Sequence, residues 1–541
     1  MQPLLYAFLL GLVAACGFQP IGWWPLSVAG FAGLLWLVAR APSLRSALAR
    51  GWWFAVGHFC LGLNWIATAF TFQSNMPAWL GWIAVVLLSC YLAVYPAMAA
   101  GLAWRGGQTL SPSGERREPQ SGGRRGDEAP NLSDAPAPQP SPLKGRGSLS
   151  FVLAFAAAWI VTEWLRATVF TGFIWNPAGV ALLDTPFAAA APLVGTYGLS
   201  GILMLIAGAL FAAAQRERRS VLVLLLPLAA LALGGPLVRG DPPPPTATPL
   251  RIVQPNVGQQ DRWREGFEEE ALRRVARLSG APIGRPRLLL WPESAIVEPL
   301  QDGRADPYYR RRAALLAERA ASVLGPGDLL LTGGLTFRSA DGERLTSATN
   351  SVFALAPGGR ILARYDKAHL VPYGEYLPAR PLLSALGLSR LAPGDVDFDS
   401  GPGPVSLDLP LAGRVGFQLC YEIIFSGQVV EDGRRPAFIF NPSNDAWFGA
   451  FGPPQHLAQA RLRALEEGLP VLRSTPTGIS AVIDAHGRLV ASLPWRTAGV
   501  IDARLPAPVP PTPFARYGNL LPFLFALLLA AAAIAVRRKA R

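Results

Sequence analysis

The sequence predicts a multi-pass α-helical membrane domain joined to a large α/β layered domain. Three observations carry this. The 541 residues are 51% hydrophobic and only 16% charged, with mean hydropathy +0.29, whereas soluble domains carry about 25% charged residues. Apolar runs near the ~20 residues that a helix needs to cross a bilayer cluster before residue 240 and recur at the C-terminus. From residue 250 onward, short apolar strands alternate with helices. The four cysteines exclude a disulfide scaffold. None has Cys/His zinc spacing, so no metal is expected.

Eight spans are expected, at 3–18, 22–39, 52–72, 77–103, 150–166, 186–214, 220–238 and 518–536. The first lacks a basic leader region and an Ala-x-Ala site, so it reads as an uncleaved span. Charge sets the orientation. The segments after spans 2, 4 and 6 and the C-terminal tail hold 17 Lys and Arg, among them Arg40, Arg117, Arg219 and Arg538. The alternate loops hold none, and the positive-inside rule then places both termini in the cytoplasm. The domain after span 7 falls on the outer side, which in a bacterium is the periplasm. The net charge of +13 is mostly this cytoplasmic bias, because residues 239–517 hold 31 basic and 28 acidic groups. It is a topology signal, and no nucleic-acid partner is expected.

Of the 16 tryptophans, 12 precede residue 240, as an interfacial aromatic belt would require. Glu163 and Arg166 share a face of span 5. A snorkelling arginine with a local partner and a holder of lipid phosphate are both open readings. Residues 105–148 are rich in Gly, Pro, Ser and Arg and read as a disordered cytoplasmic insert. Asp241-Pro-Pro-Pro-Pro starts the outer domain as a stiff spacer. Expected boundaries are therefore 1–238 (seven spans and the insert), 239–517 (outer domain) and 518–541 (last span and basic tail).

In the outer domain, strands are expected at 250–257, 288–291, 329–333, 351–355, 414–419, 437–441, 471–473 and 480–484. Helices are expected near 262–279, 307–323 and 455–467. Three stretches place reactive groups at strand ends: Trp291-Pro292-Glu293-Ser294-Ala295, Tyr365-Asp366-Lys367-Ala368-His369, and Gln418-Leu419-Cys420-Tyr421-Glu422. Cys420 is the one cysteine of this domain, and is either an inert buried residue or a reactive one. A thiol nucleophile needs a base and a cation for its oxyanion. Glu293 and Lys367 are of the right types.

Glu, Lys and Cys in this order and in these stretches resemble the triad of the nitrilase superfamily. Together with the spans and the segment Lys367–Pro378, the chain resembles the apolipoprotein N-acyltransferase family of bacterial envelopes. Asn444-Asp445-Ala446-Trp447-Phe448-Gly449, Gly452-Pro453-Pro454-Gln455-His456 and Arg461–Glu466 also match, as does Arg473-Ser474-Thr475 followed by Gly478. The long insert departs from the family's pattern. The resemblance implies a nitrilase-like αββα sandwich over the spans, with Cys420 as nucleophile, Glu293 as general base and Lys367 stabilising the tetrahedral intermediate. It implies a second essential carboxylate at Glu375, which either assists proton transfer or holds Lys367. Tyr421 and Glu422 match positions needed for activity, and Trp263 matches a substrate-contacting tryptophan.

The implied reaction moves an acyl chain from a phospholipid, expected to be phosphatidylethanolamine, to Cys420. It then passes to the N-terminal amine of a diacylglyceryl-modified apolipoprotein. No cofactor is implied, and a monomer in the inner membrane is expected. Trp447 and Phe448 are either an exposed apolar loop beside the site or core residues. A membrane-tethered amidohydrolase differs only in its acyl acceptor. A non-catalytic lipid-binding scaffold would be expected to lose a triad member, and a transporter lacks its usual intramembrane charges and inverted repeat.

Overall fold

The computed structural model describes residues 2–72, 76–107, 148–261, 264, 266–385, 387, 390–391 and 396–539. The expected disordered insert falls almost wholly on 108–147, and Trp263 also lies outside the described residues.

Each of the eight apolar segments contains helix. Among the described residues, five helices are long and apolar enough to cross a membrane: Leu80–Gly106, Ser148–Thr168, Pro186–Ala214, Arg218–Gly235 and Leu520–Lys539. Leu44–Gly62 and Trp65–Phe72 make a sixth if the pair, bent by 46°, is one span. Gln2–Ala15 and Trp24–Ala39 are apolar but shorter, at 14 and 16 residues. The helix through 191–214 breaks at Gly195, whose φ of +62° suits glycine. A Cβ there would stand 2.2 Å from the Phe514 ring.

Glu163 and Arg166 do share a face, 3.8 Å apart, but both are buried. Arg166 neither snorkels nor faces a lipid headgroup. A guanidinium among apolar helices needs acceptors, and it donates to the Phe173 and Trp175 carbonyls of the returning loop. Glu163 accepts from the Ala178 amide at 2.8 Å.

The described residues of the outer part form thirteen strands: β1 (Pro249–Gln254), β2 (Leu288–Leu290), β3 (Pro299–Asp302), β4 (Leu329–Arg338), β5 (Ser347–Leu355), β6 (Ile361–Asp366), β7 (Ser406–Leu409), β8 (Gly413–Phe417), β9 (Phe438–Pro442), β10 (Val471–Ser474), β11 (Ser480–Ile483), β12 (Leu489–Leu493) and β13 (Gly499–Arg504). One sheet runs β13-β1-β2-β4-β5-β6, with β3 paired to β4. The other runs β12-β11-β10-β9-β8-β7. The central strands are parallel, as in β8 on β9 with Val415 opposite Phe438 and Phe417 opposite Phe440. They are buried on both faces, which explains near-continuous apolar runs such as Leu288-Leu289-Leu290.

The sheets pack face to face through Ile252, Leu290, Leu331, Val415, Phe440 and Leu472. The far face of the first sheet is covered by helices Phe267–Ser279 and Pro307–Ala321, through Leu272, Val275 and Leu316. The far face of the second carries helix Gly452–Glu467. These layers make the αββα sandwich that the resemblance implies. Helix Gly452–Glu467 is amphipathic, yet its polar side is also buried. It lies between the second sheet and the helical half, and one apolar core runs through all three. Glu466 accepts from the Thr196 amide and hydroxyl just past the Gly195 break. Arg461 reaches Asp184 at 2.7 Å.

Candidate active site

Three strands deliver the reactive groups. Glu293 follows β2, Lys367 follows β6, and Cys420 opens the 3₁₀ turn Cys420–Ile424 just beyond β8. All three side chains are buried. Cys420 has φ +53° and Ser294 φ +53°, conformations costly for residues with a Cβ. Such strain is held only where the surroundings over-determine it, and it clusters at functional sites.

The structure brings Glu293, Lys367, Cys420 and Glu375 into one polar cluster. The Cys420 thiol and the Glu293 carboxylate are close enough in this cluster to act on one another's charge. Lys367 Nζ donates to Glu375 Oε1 at 2.9 Å. Glu375 Oε2 accepts the Val371 amide at 2.8 Å, which fixes the carboxylate that holds the lysine. Burial and the neighbouring Glu293 charge push the Cys420 thiol well above its usual range, against the pull of Lys367. Burial also raises the Glu293 carboxyl, with Lys367 opposing and Glu375 adding. Burial works against the Lys367 charge, but the carboxylates of Glu375 and Glu293 outweigh it, and the ammonium stays firmly protonated. The cluster therefore offers a thiol, a carboxylate made more basic by burial, and a fixed cation.

Asn350, on β5, carries no motif and is invisible to sequence reasoning. Its Nδ2 donates to Glu293 Oε1 at 2.8 Å and to Glu375 Oε1 at 2.9 Å, while its carbonyl accepts the Lys367 amide at 2.8 Å. It ties both carboxylates and the lysine backbone together.

Tyr421 and Glu422 follow Cys420 and face different ways. The Tyr421 hydroxyl donates to the Gly172 carbonyl of the helical half at 3.1 Å. Glu422 accepts from the Ala368 and His369 amides, the Tyr365 hydroxyl and the Leu419 amide, at 2.6–3.0 Å. It clamps the end of the Lys367 strand to the residue before Cys420. Trp447 is half-buried beside Phe72, with ring centroids 6.0 Å apart. Phe448 packs on Trp65 and Trp175, so that side chain is packed against the helical half.

Among the described residues, one trio has the spacing of metal ligands: Cys420, Asp445 and His456, with donor atoms within 4.8 Å of one another. Asp445 is already paired with the buried guanidinium of Arg473, and His456 Nε2 faces the Cys420 carbonyl. A cation there would sit against a fixed positive charge, so the trio is a hydrogen-bonded network.

Two family models match the chain. The apolipoprotein N-acyltransferase N-terminal domain covers residues 10–209, and carbon-nitrogen hydrolase covers 268–509. A carbon-nitrogen hydrolase structure from Helicobacter pylori is similar at 13% identity and TM-score 0.32, over 48% of this chain and 89% of that one. Apolipoprotein N-acyltransferase of Rhodopseudomonas palustris is 33% identical over 95% of this chain and 91% of its own length. That of Ralstonia nicotianae is 35% identical over 99% and 93%. With a third of its residues shared along nearly its whole length, the chain belongs to the apolipoprotein N-acyltransferase family.

Proposed function

We propose that the chain acylates lipoproteins through a Cys420 thioester. The observation that carries this reading is the buried cluster that gathers Cys420 and Glu293 beside Lys367, itself held by Glu375. In the first half-reaction the Glu293 carboxylate takes the thiol proton and the sulfur attacks the ester carbonyl of a phospholipid. The oxyanion forms beside Lys367. The C–O bond breaks, Glu293 returns the proton to the leaving alkoxide, and lysophospholipid departs.

In the second, the free α-amine of a diacylglyceryl-cysteine attacks the thioester. Glu293 takes the amine proton, the C–S bond breaks and the thiol is regenerated. A thioester suits this exchange because an amine cleaves it readily and the product amide is stable. Each half-reaction is complete with these side chains and two lipid substrates.

The same reading gives eight spans, with 1–238 and 518–541 in the inner membrane and 239–517 as a periplasmic catalytic domain. Both termini are cytoplasmic and the protein acts as a monomer. Phosphatidylethanolamine is the donor, and Trp263 and Trp447 contact substrate. The depletion of basic residues from alternate loops supports the orientation.

The test uses the purified full chain with phosphatidylethanolamine and a diacylated lipopeptide. Cys420 should gain one acyl mass that hydroxylamine removes, and the lipopeptide should gain the same chain as an amide. A Cys420→Ala protein that still acylates the lipopeptide would end the proposal. Release of free fatty acid in place of N-acyl lipopeptide would make the chain a hydrolase.

A further inference from the structure

His456 lies directly behind the nucleophile. Its Nε2 is 3.1 Å from the Cys420 carbonyl oxygen. That partner only accepts, so Nε2 carries a hydrogen in the neutral and the protonated ring alike. The other ring nitrogen is enclosed by a buried ion pair: Nδ1 is 2.9 Å from Asp445 Oδ1 and 3.1 Å from Arg473 Nη2. Asp445, His456 and Arg473 are all fully buried. Arg473 is itself held by the Ser443 hydroxyl at 2.9 Å and by Asn441. The ring face is covered by Trp175 of the helical half, with centroids 5.0 Å apart. Trp175 Nε1 in turn donates to Gln455 Oε1 at 2.7 Å, one residue before His456. The imidazole is thus fixed at both nitrogens and on one face.

What this fixed ring does follows from peptide geometry. At φ +53° the chain has left the β8 ladder, so the Cys420 carbonyl needs a partner outside the sheet. The peptide unit is planar, with C=O and the following N–H pointing opposite ways. Pinning the Cys420 oxygen therefore fixes the Cys420–Tyr421 plane, the direction of the Tyr421 amide and the strained backbone that aims Sγ.

We propose that His456 is a positioning residue for the nucleophile, braced by Asp445 and Arg473 on one side and by Trp175 from the membrane half on the other. The proposal rests on Cys420 being the acylated residue. It adds that the helical half helps set the attack geometry from behind the site.

The test compares His456→Gln with His456→Asn in the full chain in detergent. The Gln amide nitrogen stands where Nε2 stands and reaches the Cys420 oxygen. The Asn side chain keeps a polar group toward Asp445 and Arg473 but is too short to reach it. Misplacement of a reacting group by about 1 Å costs ~10²-fold in rate. His456→Asn should therefore form the acyl-enzyme about 100-fold more slowly at saturating phosphatidylethanolamine, with KM changed less than about threefold. His456→Gln should recover to within about tenfold of the parent. Iodoacetamide labelling of Cys420, mapped by mass spectrometry, should persist in both, because a small electrophile needs no aligned oxyanion.

Equal rates in the two variants, a loss carried by KM, or loss of alkylation together with acylation would each overturn the positioning role. A parent protein that forms no thioester on Cys420 would instead overturn the functional reading and this one with it.

Discussion

Asn350→Asp is nearly isosteric, yet it turns two donated hydrogen bonds into contacts between carboxylates. The donated bonds run to Glu293 and Glu375 at 2.8 and 2.9 Å. At an effective dielectric near 20, two full charges at that separation repel by about 6 kcal/mol. The alternative is to retain one proton, which costs about 1.4 kcal/mol per pH unit above the free aspartate value near 3.9, hence about 4 kcal/mol at pH 7. The proton is the cheaper solution, so the variant binds one.

If the proton settles on Glu293, the base is lost. If it settles on the new side chain, one O–H replaces two N–H donors and one carboxylate loses its tether. The new group's folded pKa is raised above its unfolded value. Its stability deficit is therefore absent below about pH 4 and grows as pH rises, reaching about 1.5 kcal/mol at pH 5. The assay is the thermal midpoint of the detergent-solubilised protein at pH 5 and pH 8, with the rate of acyl-enzyme formation at pH 8. The midpoint should lie several degrees below the parent at pH 8 and approach it at pH 5, and acylation should fall at least ~10²-fold. A midpoint gap equal at both pH values, or unimpaired acylation, would refute the bridging role.

Glu293→Gln should abolish thioester formation while raising the thermal midpoint. Burial holds this carboxyl's folded pKa above its unfolded value, so its charged form costs stability that grows with pH; the gain should be larger at pH 8 than at pH 4.5, and the opposite trend would sink the assignment. Glu422→Gln leaves one acceptor oxygen where four donor groups converge. At about 1.5–3 kcal/mol per hydrogen bond to a charged group, it should slow acyl-enzyme formation at least tenfold and lower the midpoint, both read on the same preparations. Gly195→Ala puts a Cβ 2.2 Å from the Phe514 ring at φ +62°. A loss of about 1–3 kcal/mol is expected, and a midpoint unchanged in a thermal melt would show that the break is adaptable.

All eight strands read from the sequence are present, and the five that were missed share one property. β6, β7, β12 and β13 are the outer strands of the two sheets, and β3 lies off the main path. β12 is exposed or half-exposed along its whole length, and the first four residues of β6 are exposed or half-exposed. An edge strand has no buried apolar run to betray it, whereas Leu288-Leu289-Leu290 is covered on both faces. Glu293, Lys367 and Cys420 were legible as candidates because each sits in a distinctive stretch at a strand end. Asn350 was not, because its importance lies in two partners at sequence separations of 57 and 25. Nor were the shared face of helix Gly452–Glu467 and the inward turn of Arg166 legible. Periodicity says which residues align, not what lies opposite them.

The helical half does more than anchor the sandwich. Tyr421 next to Cys420 bonds to Gly172, His369 two residues past Lys367 bonds to Thr171, and Trp175 covers His456. Three residues of one loop, Thr171, Gly172 and Trp175, thus touch the supports of both the thiol and the cation. Arg166 holds that loop from below through the carbonyls of Phe173 and Trp175. Here part of the frame around Cys420 comes from segments that return from the apolar helices. Cutting the chain at the Pro run would remove those supports together, so the outer part on its own lacks a complete frame for the reaction proposed for Cys420, Glu293 and Lys367.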